Sequence, residues 1–150
     1  MGLDMYLYAT LYTSKYSRTT TFRKLKKMFP EVKLDKDFPA ISVEFKIGYW
    51  RKANAIHNWF VNQERNKLDD CKPISVSKEQ LKVLRGLCEK VLKSKKKGVA
   101  KLCLPTQSGF FFGTTDYDSW YFKDLQNTIE IIDDALKLPD DYGFYYQASW

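Results

Sequence analysis

Between residues 3 and 12 every second residue is apolar: Leu3, Met5, Leu7, Ala9 and Leu11 alternate with Asp4, Tyr6, Tyr8, Thr10 and Tyr12. A repeat of two places all five apolar side chains on one face of an extended strand, and that face must be covered. The pattern returns twice. In "ISVEFKI" it assigns Ile41, Val43, Phe45 and Ile47 to the core, with Gly48 ending or bending the strand. In "FYYQASW" it assigns Phe144, Tyr146, Ala148 and Trp150. Three strands with one apolar and one polar face predict an antiparallel or mixed sheet covered on one side. The intervening segments have to supply the cover.

Those segments read as helices. "TTTFRKLKKMFP" offers threonine caps, a shared face at Phe22, Leu25 and Phe29, and a stop at Pro30. From Tyr49 or Trp50 the spacing Trp50, Ala53, Ile56, His57, Phe60 and Val61 predicts a second helix, whose first turn then holds Arg51 and Lys52. "ISVSKEQLKVL" leads into a third, with a Ser77 and Gln80 capping box, a stripe from Leu81 to Leu92, and basic residues and Gly98 at its end. "VAKLCL" is a short helical or extended connector. Phe110 to Phe112, between Gly109 and Gly113, reads as a brief strand with Phe110 and Phe112 on one side. Asp116 or Asp118 caps the last helix, whose face runs Tyr121, Phe122, Leu125, Ile129, Ile132 and Leu136. The expectation is a single α+β domain over residues 1–150, a small antiparallel or mixed sheet with about four helices packed mainly on one face. A chain of 150 residues, 44% hydrophobic, suffices for such a core.

Composition removes several chemistries. The three cysteines, Cys71, Cys88 and Cys103, are too scattered to suggest a disulfide framework or zinc site. No continuous apolar run has transmembrane length, so no membrane partner is expected. Phosphate-loop, nucleotide-fold, hydrolase and calcium-loop signatures are missing, and no cofactor or metal is implied. The lone histidine, His57, lies on an apolar arc, where a hydrogen-bonded core role outweighs a catalytic one. Asp116 and Asp118 could serve a metal or acid–base chemistry, but capping explains their position.

Charge points toward phosphate. The net charge is +7, with eight basic and two acidic residues in 14–36, nine and two in 78–101, and two and eight in 114–142. Such basic segments either solvate the surface or bind anions. Arg51 and Lys52 beside free helix N–H groups form a candidate phosphate site. Asn54, Asn58 and nearby tyrosines could hydrogen-bond or stack on a base. The candidate ligand residues are thus Arg51, Lys52, Asn54, His57, Asn58, Phe111 and Tyr8.

The blocks "MGLDMYLY", "YWRKANAIHNWFV" and "LPTQSGFFFGTTDYD" together resemble a family of small proteins encoded by bacteriophages and prophages, whose members open on a similar Met-Gly-Leu-Asp-Met segment. The resemblance runs from residue 1 to about the last helix. It implies a phage accessory protein in the cytoplasm of the infected bacterial host, and it brings no catalytic mechanism with it. The resulting expectation is a noncatalytic protein that binds a nucleotide-like or other phosphorylated small molecule, among them a nucleotide immune signal sequestered in counter-defence. A homo-oligomer would deepen its pocket. Alternatives are nucleic-acid binding through the basic segments, or inhibition of a host protein through exposed aromatics.

Overall fold

The computed structural model describes residues 2–150; Met1, which opens the first resemblance block, lies outside them. Four strands form one antiparallel sheet in the order β2-β1-β4-β3: β1 (Asp4–Ser14), β2 (Ala40–Arg51), β3 (Ile74–Val76) and β4 (Tyr142–Ser149). The helices are α1 (Thr21–Met28), α2 (Asn54–Val61), α3 (Lys78–Ser94), α4 (Lys97–Cys103) and α5 (Ser119–Leu136). The α+β class follows as expected from the alternation.

β1 is the spine of the sheet. It pairs with β2 from Asp4↔Arg51 to Ser14↔Ala40 and with β4 from Asp4↔Ser149 to Leu11↔Tyr142. Its odd-numbered apolar residues are buried beneath the helices, joined by Phe144, Tyr146 and Ala148 of β4. Leu81, Leu84, Cys88 and Val91 of α3, Tyr121, Leu125, Ile129 and Ile132 of α5, and Ile56 and Phe60 of α2 pack into that core. Burial pushes the Cys88 thiol up to about 12, so it is an inert core group.

Several local expectations are corrected. β2 does not end at Gly48. Its register shifts between Leu7↔Gly48 and Tyr8↔Lys46, leaving Ile47 as a bulge, and the strand continues through Trp50. Glycine is required there because a Cβ at position 48 would stand 2.6 Å from a methyl of Ile131 on α5. Trp50 is therefore buried from a strand, its indole N–H donating to Thr128 Oγ1 at 2.9 Å, and α2 begins only at Asn54. The helical spacing at Trp50 and Ala53 was a coincidence of two elements. Ile74–Val76 is a strand because β4 offers it an edge.

Helix ends differ in detail too. Ser77 and Gln80 form the expected capping box, but α3 ends on Lys95 in the left-handed region, and Gly98 lies inside α4. Thr20 precedes α1 without a side-chain capping bond. Only Phe22 of α1 is buried, and Phe29 and Trp150 are substantially exposed. Phe110–Phe112 is a turn and not a strand, closed by Phe112 N–H donating to the Gly109 carbonyl at 3.2 Å. Phe110 is 93% exposed and Phe112 4%, so the two rings do not share a side.

Candidate functional site

Where β2 ends, the chain turns sharply into α2. Lys52 sits at φ 59°, its N–H donating to the Leu3 carbonyl and its own carbonyl accepting from Asn54 N–H, both at 2.8 Å. Gly113 lies against this corner at φ 82°, and a Cβ there would meet Lys52 Cβ at 3.3 Å. Position 113 thus has both a backbone and a contact reason to be glycine.

Asn54 holds the two segments together. Its amide N–H groups donate to the carbonyls of Phe112 at 3.0 Å and Thr114 at 2.8 Å, and its Oδ1 accepts from Gln107 N–H at 3.2 Å. One turn later Asn58 donates to the Pro105 carbonyl at 3.1 Å. Two asparagines of α2 thereby staple the loop from Pro105 to Thr114, whose backbone would otherwise have unmet hydrogen bonds. Asp118 then starts α5 by accepting from Trp120 and Tyr121 N–H, each at 3.0 Å. The β2–α2 corner, this stapled loop and the first turns of α5 enclose a cavity of about 280 Å³.

Its charged groups are distinctive. Arg51 and Lys52 are exposed at the cavity and form no ion pair among the described residues. Asp124, on α5, is half-buried, and among the described residues its carboxylate has neither an ion pair nor a hydrogen-bond donor. Burial, reinforced by the Asp118 charge and opposed by Lys123, pushes the Asp124 carboxyl up to about 6. Trp120 lines the same space and is 66% exposed, while Tyr121 is tied by its hydroxyl to the Leu104 carbonyl at 2.9 Å. Asp116 accepts from the Thr114 hydroxyl at 3.0 Å. Among the described residues no cluster of three His, Cys, Asp or Glu side chains is arranged to hold a metal ion.

The sequence matches no family model, no curated protein and no solved structure. The geometry is what distinguishes the candidate residues. The cavity gathers Arg51, Lys52 and Asn54, although the Asn54 amide is occupied by the loop. It does not include Asn58, His57, Phe111 or Tyr8 among its lining residues.

His57 is 1% exposed, with Nδ1 2.6 Å from the Tyr146 hydroxyl and Nε2 2.8 Å from Asp69 Oδ2. Asp69 also accepts from the Trp150 indole at 3.1 Å. This Asp–His–Tyr chain looks like a proton relay, yet the neighbouring void holds only about 10 Å³, scarcely one water. It is a satisfied core network that anchors residues 69–72 to the sheet. Phe111 packs edge-on against Phe110, and its carbonyl accepts from Leu3 N–H at 3.3 Å.

Tyr8 lies on the opposite face of the sheet, stacked on Tyr145 with ring centroids 4.7 Å apart. There Lys46 sits 4.1 Å over the Tyr6 ring, and the Tyr145 hydroxyl donates to Glu44. Burial, then the Glu44 bond, raises the Tyr145 hydroxyl well above the usual phenol value. Trp120 and Asp124 escaped the sequence reading. Asp124 did leave a trace, standing three residues after Tyr121 and four before Thr128, both buried on α5, where a charged side chain is out of place.

Proposed function

We propose that this chain is a noncatalytic binder of a phosphorylated small molecule, held in the cavity between the end of β2 and the start of α5. The observation that carries the reading is a pair of cations, Arg51 and Lys52, without ion-pair partners among the described residues, at a cavity large enough for a small ligand. At about 280 Å³ the cavity lies just below the usual range for small-molecule sites, which limits it to one nucleotide unit. Arg51 supplies a fork of donors and Lys52 a mobile point charge, a complementary pair for phosphate oxygens. Together with the resemblance to phage proteins, this favours sequestration of a nucleotide signal in an infected bacterium as the biological role. Among the described residues no helix is long and apolar enough to cross a membrane.

Calorimetric titration against linear and cyclic nucleotides tests the binding. At least one should bind, and replacing Arg51 and Lys52 together with alanine should weaken it by at least about a hundredfold, since each charge-assisted bond contributes roughly 1.5–3 kcal/mol. Folded protein that gives no heat with any nucleotide would exclude the reading.

A further inference from the structure

We propose that Asp124 selects the base, and that the ligand is a guanine nucleotide with its phosphate at Arg51 and Lys52. The inference rests on the phosphate-binding reading above and adds the identity of the other end of the molecule. The cavity has two kinds of unsatisfied group: exposed cations from the β2–α2 corner and a half-buried carboxylate from α5. They do not pair with each other. A simple anion would use the first and be repelled by the second. A ligand that answers both must carry negative charge at one end and hydrogen-bond donors at the other.

Among nucleotides, that second requirement is selective. An ionised carboxylate has two acceptor oxygens and no proton to give. Guanine presents two parallel donors on one edge, the N1–H and the exocyclic N2 amine, which match both oxygens at once. Adenine and cytosine each place a ring nitrogen lone pair beside their single exocyclic amine, so one carboxylate oxygen meets a lone pair. Uracil flanks its one N–H with two carbonyls. Trp120, exposed along the cavity lining, gives an aromatic surface for a base plane, and such stacking tolerates any base. Discrimination therefore falls to Asp124.

The other acidic groups lining the cavity are already engaged. Asp118 caps α5 and Asp116 accepts from Thr114. Asp124 has no donor among the described residues, and its position on a helix packed into the core fixes it better than a loop would.

The test is titration of the intact chain with GMP, IMP, AMP, guanosine and inorganic phosphate at pH 7.5. GMP should bind most tightly. IMP, which lacks only the N2 amine, should be about tenfold weaker, the loss of one bond to a charged group. AMP should be weaker again, and guanosine and phosphate should each bind feebly, separating base and phosphate contributions. Asp124→Asn should erase the GMP over IMP preference while leaving the advantage of GMP over guanosine. Nucleotides bound without preference for guanine would overturn the base assignment and leave the phosphate reading standing. Failure of every nucleotide would overturn both. Should Asp124→Asn not fold, the GMP and IMP comparison on the unaltered protein decides alone.

Discussion

Asp124 is the residue that the fold would be better off without. Its carboxyl has an ordinary value of 3.8 and is raised to about 6 in the folded chain, so between those values the folded state binds more protons than the unfolded state. Stability therefore falls as pH rises through that window, and the full cost is present at neutral pH. Asp124→Asn should raise the stability of the ligand-free protein at pH 7.5 by up to about 2 kcal/mol and change it little near pH 4, as read by urea unfolding. Ligand affinity should move the other way. With Asp118 and Lys123 beside it and Asp116, Arg51 and Lys52 around the cavity, Asp124 must be ionised to accept two bonds, so GMP binding should weaken as pH drops below about 6. His57 makes the contrasting case. His57→Ala would leave the buried Tyr146 hydroxyl without its partner and Asp69 with only the Trp150 indole, and should cost about 3 kcal/mol, with little effect on nucleotide affinity, because His57 does not line the cavity.

At the scale of elements, α2 matters less for its N-terminus than for the side chains it aims at the loop. Asn54→Ala removes three hydrogen bonds from the segment Gln107–Thr114 and should raise its amide exchange, with a stability loss of about 2 kcal/mol. Gly113→Ala should disturb the same corner through strain at φ 82° and through the Lys52 side chain, lowering affinity more than stability. This level also shows what the sequence could disclose. β1, α3, α5 and β4 were legible because their apolar residues keep one period over seven or more positions. β3 was not, since three residues carry no period and its pairing is supplied by β4. The end of β2 was misread because a strand residue, Trp50, and a corner residue, Ala53, fell by chance on a helical spacing with α2. Arg51 and Lys52 stood out as adjacent cations, whereas Trp120 and Asp124 join them only through the packing of α5 against β2.

Across the whole molecule, the uneven charge of the sequence is partly cancelled by packing. The basic α3 lies beside the acidic α5, where Arg85 meets Asp133 at 2.5 Å, and Lys78 reaches Asp140 at 2.7 Å. The Arg85 guanidinium holds the Asp133 carboxyl below its usual range. Such exposed pairs add little stability, but they reduce the continuous basic surface that a nucleic acid would need. Binding to a guanine nucleotide should accordingly depend on Arg51 and Lys52 and hardly on Lys93, Lys95 and Lys96, whose triple substitution by alanine should leave GMP affinity within about twofold of the original in the same titration. The place of β1 bears on how the chain assembles. Its partner on one side is the next strand in order, but its partner on the other is β4, more than a hundred residues later. During synthesis the β1–β2 hairpin can form early, yet one edge of β1 stays open until residues 142–149 have left the ribosome. That waiting edge should slow folding and leave the newborn hairpin open to mispairing with other chains until β4 arrives.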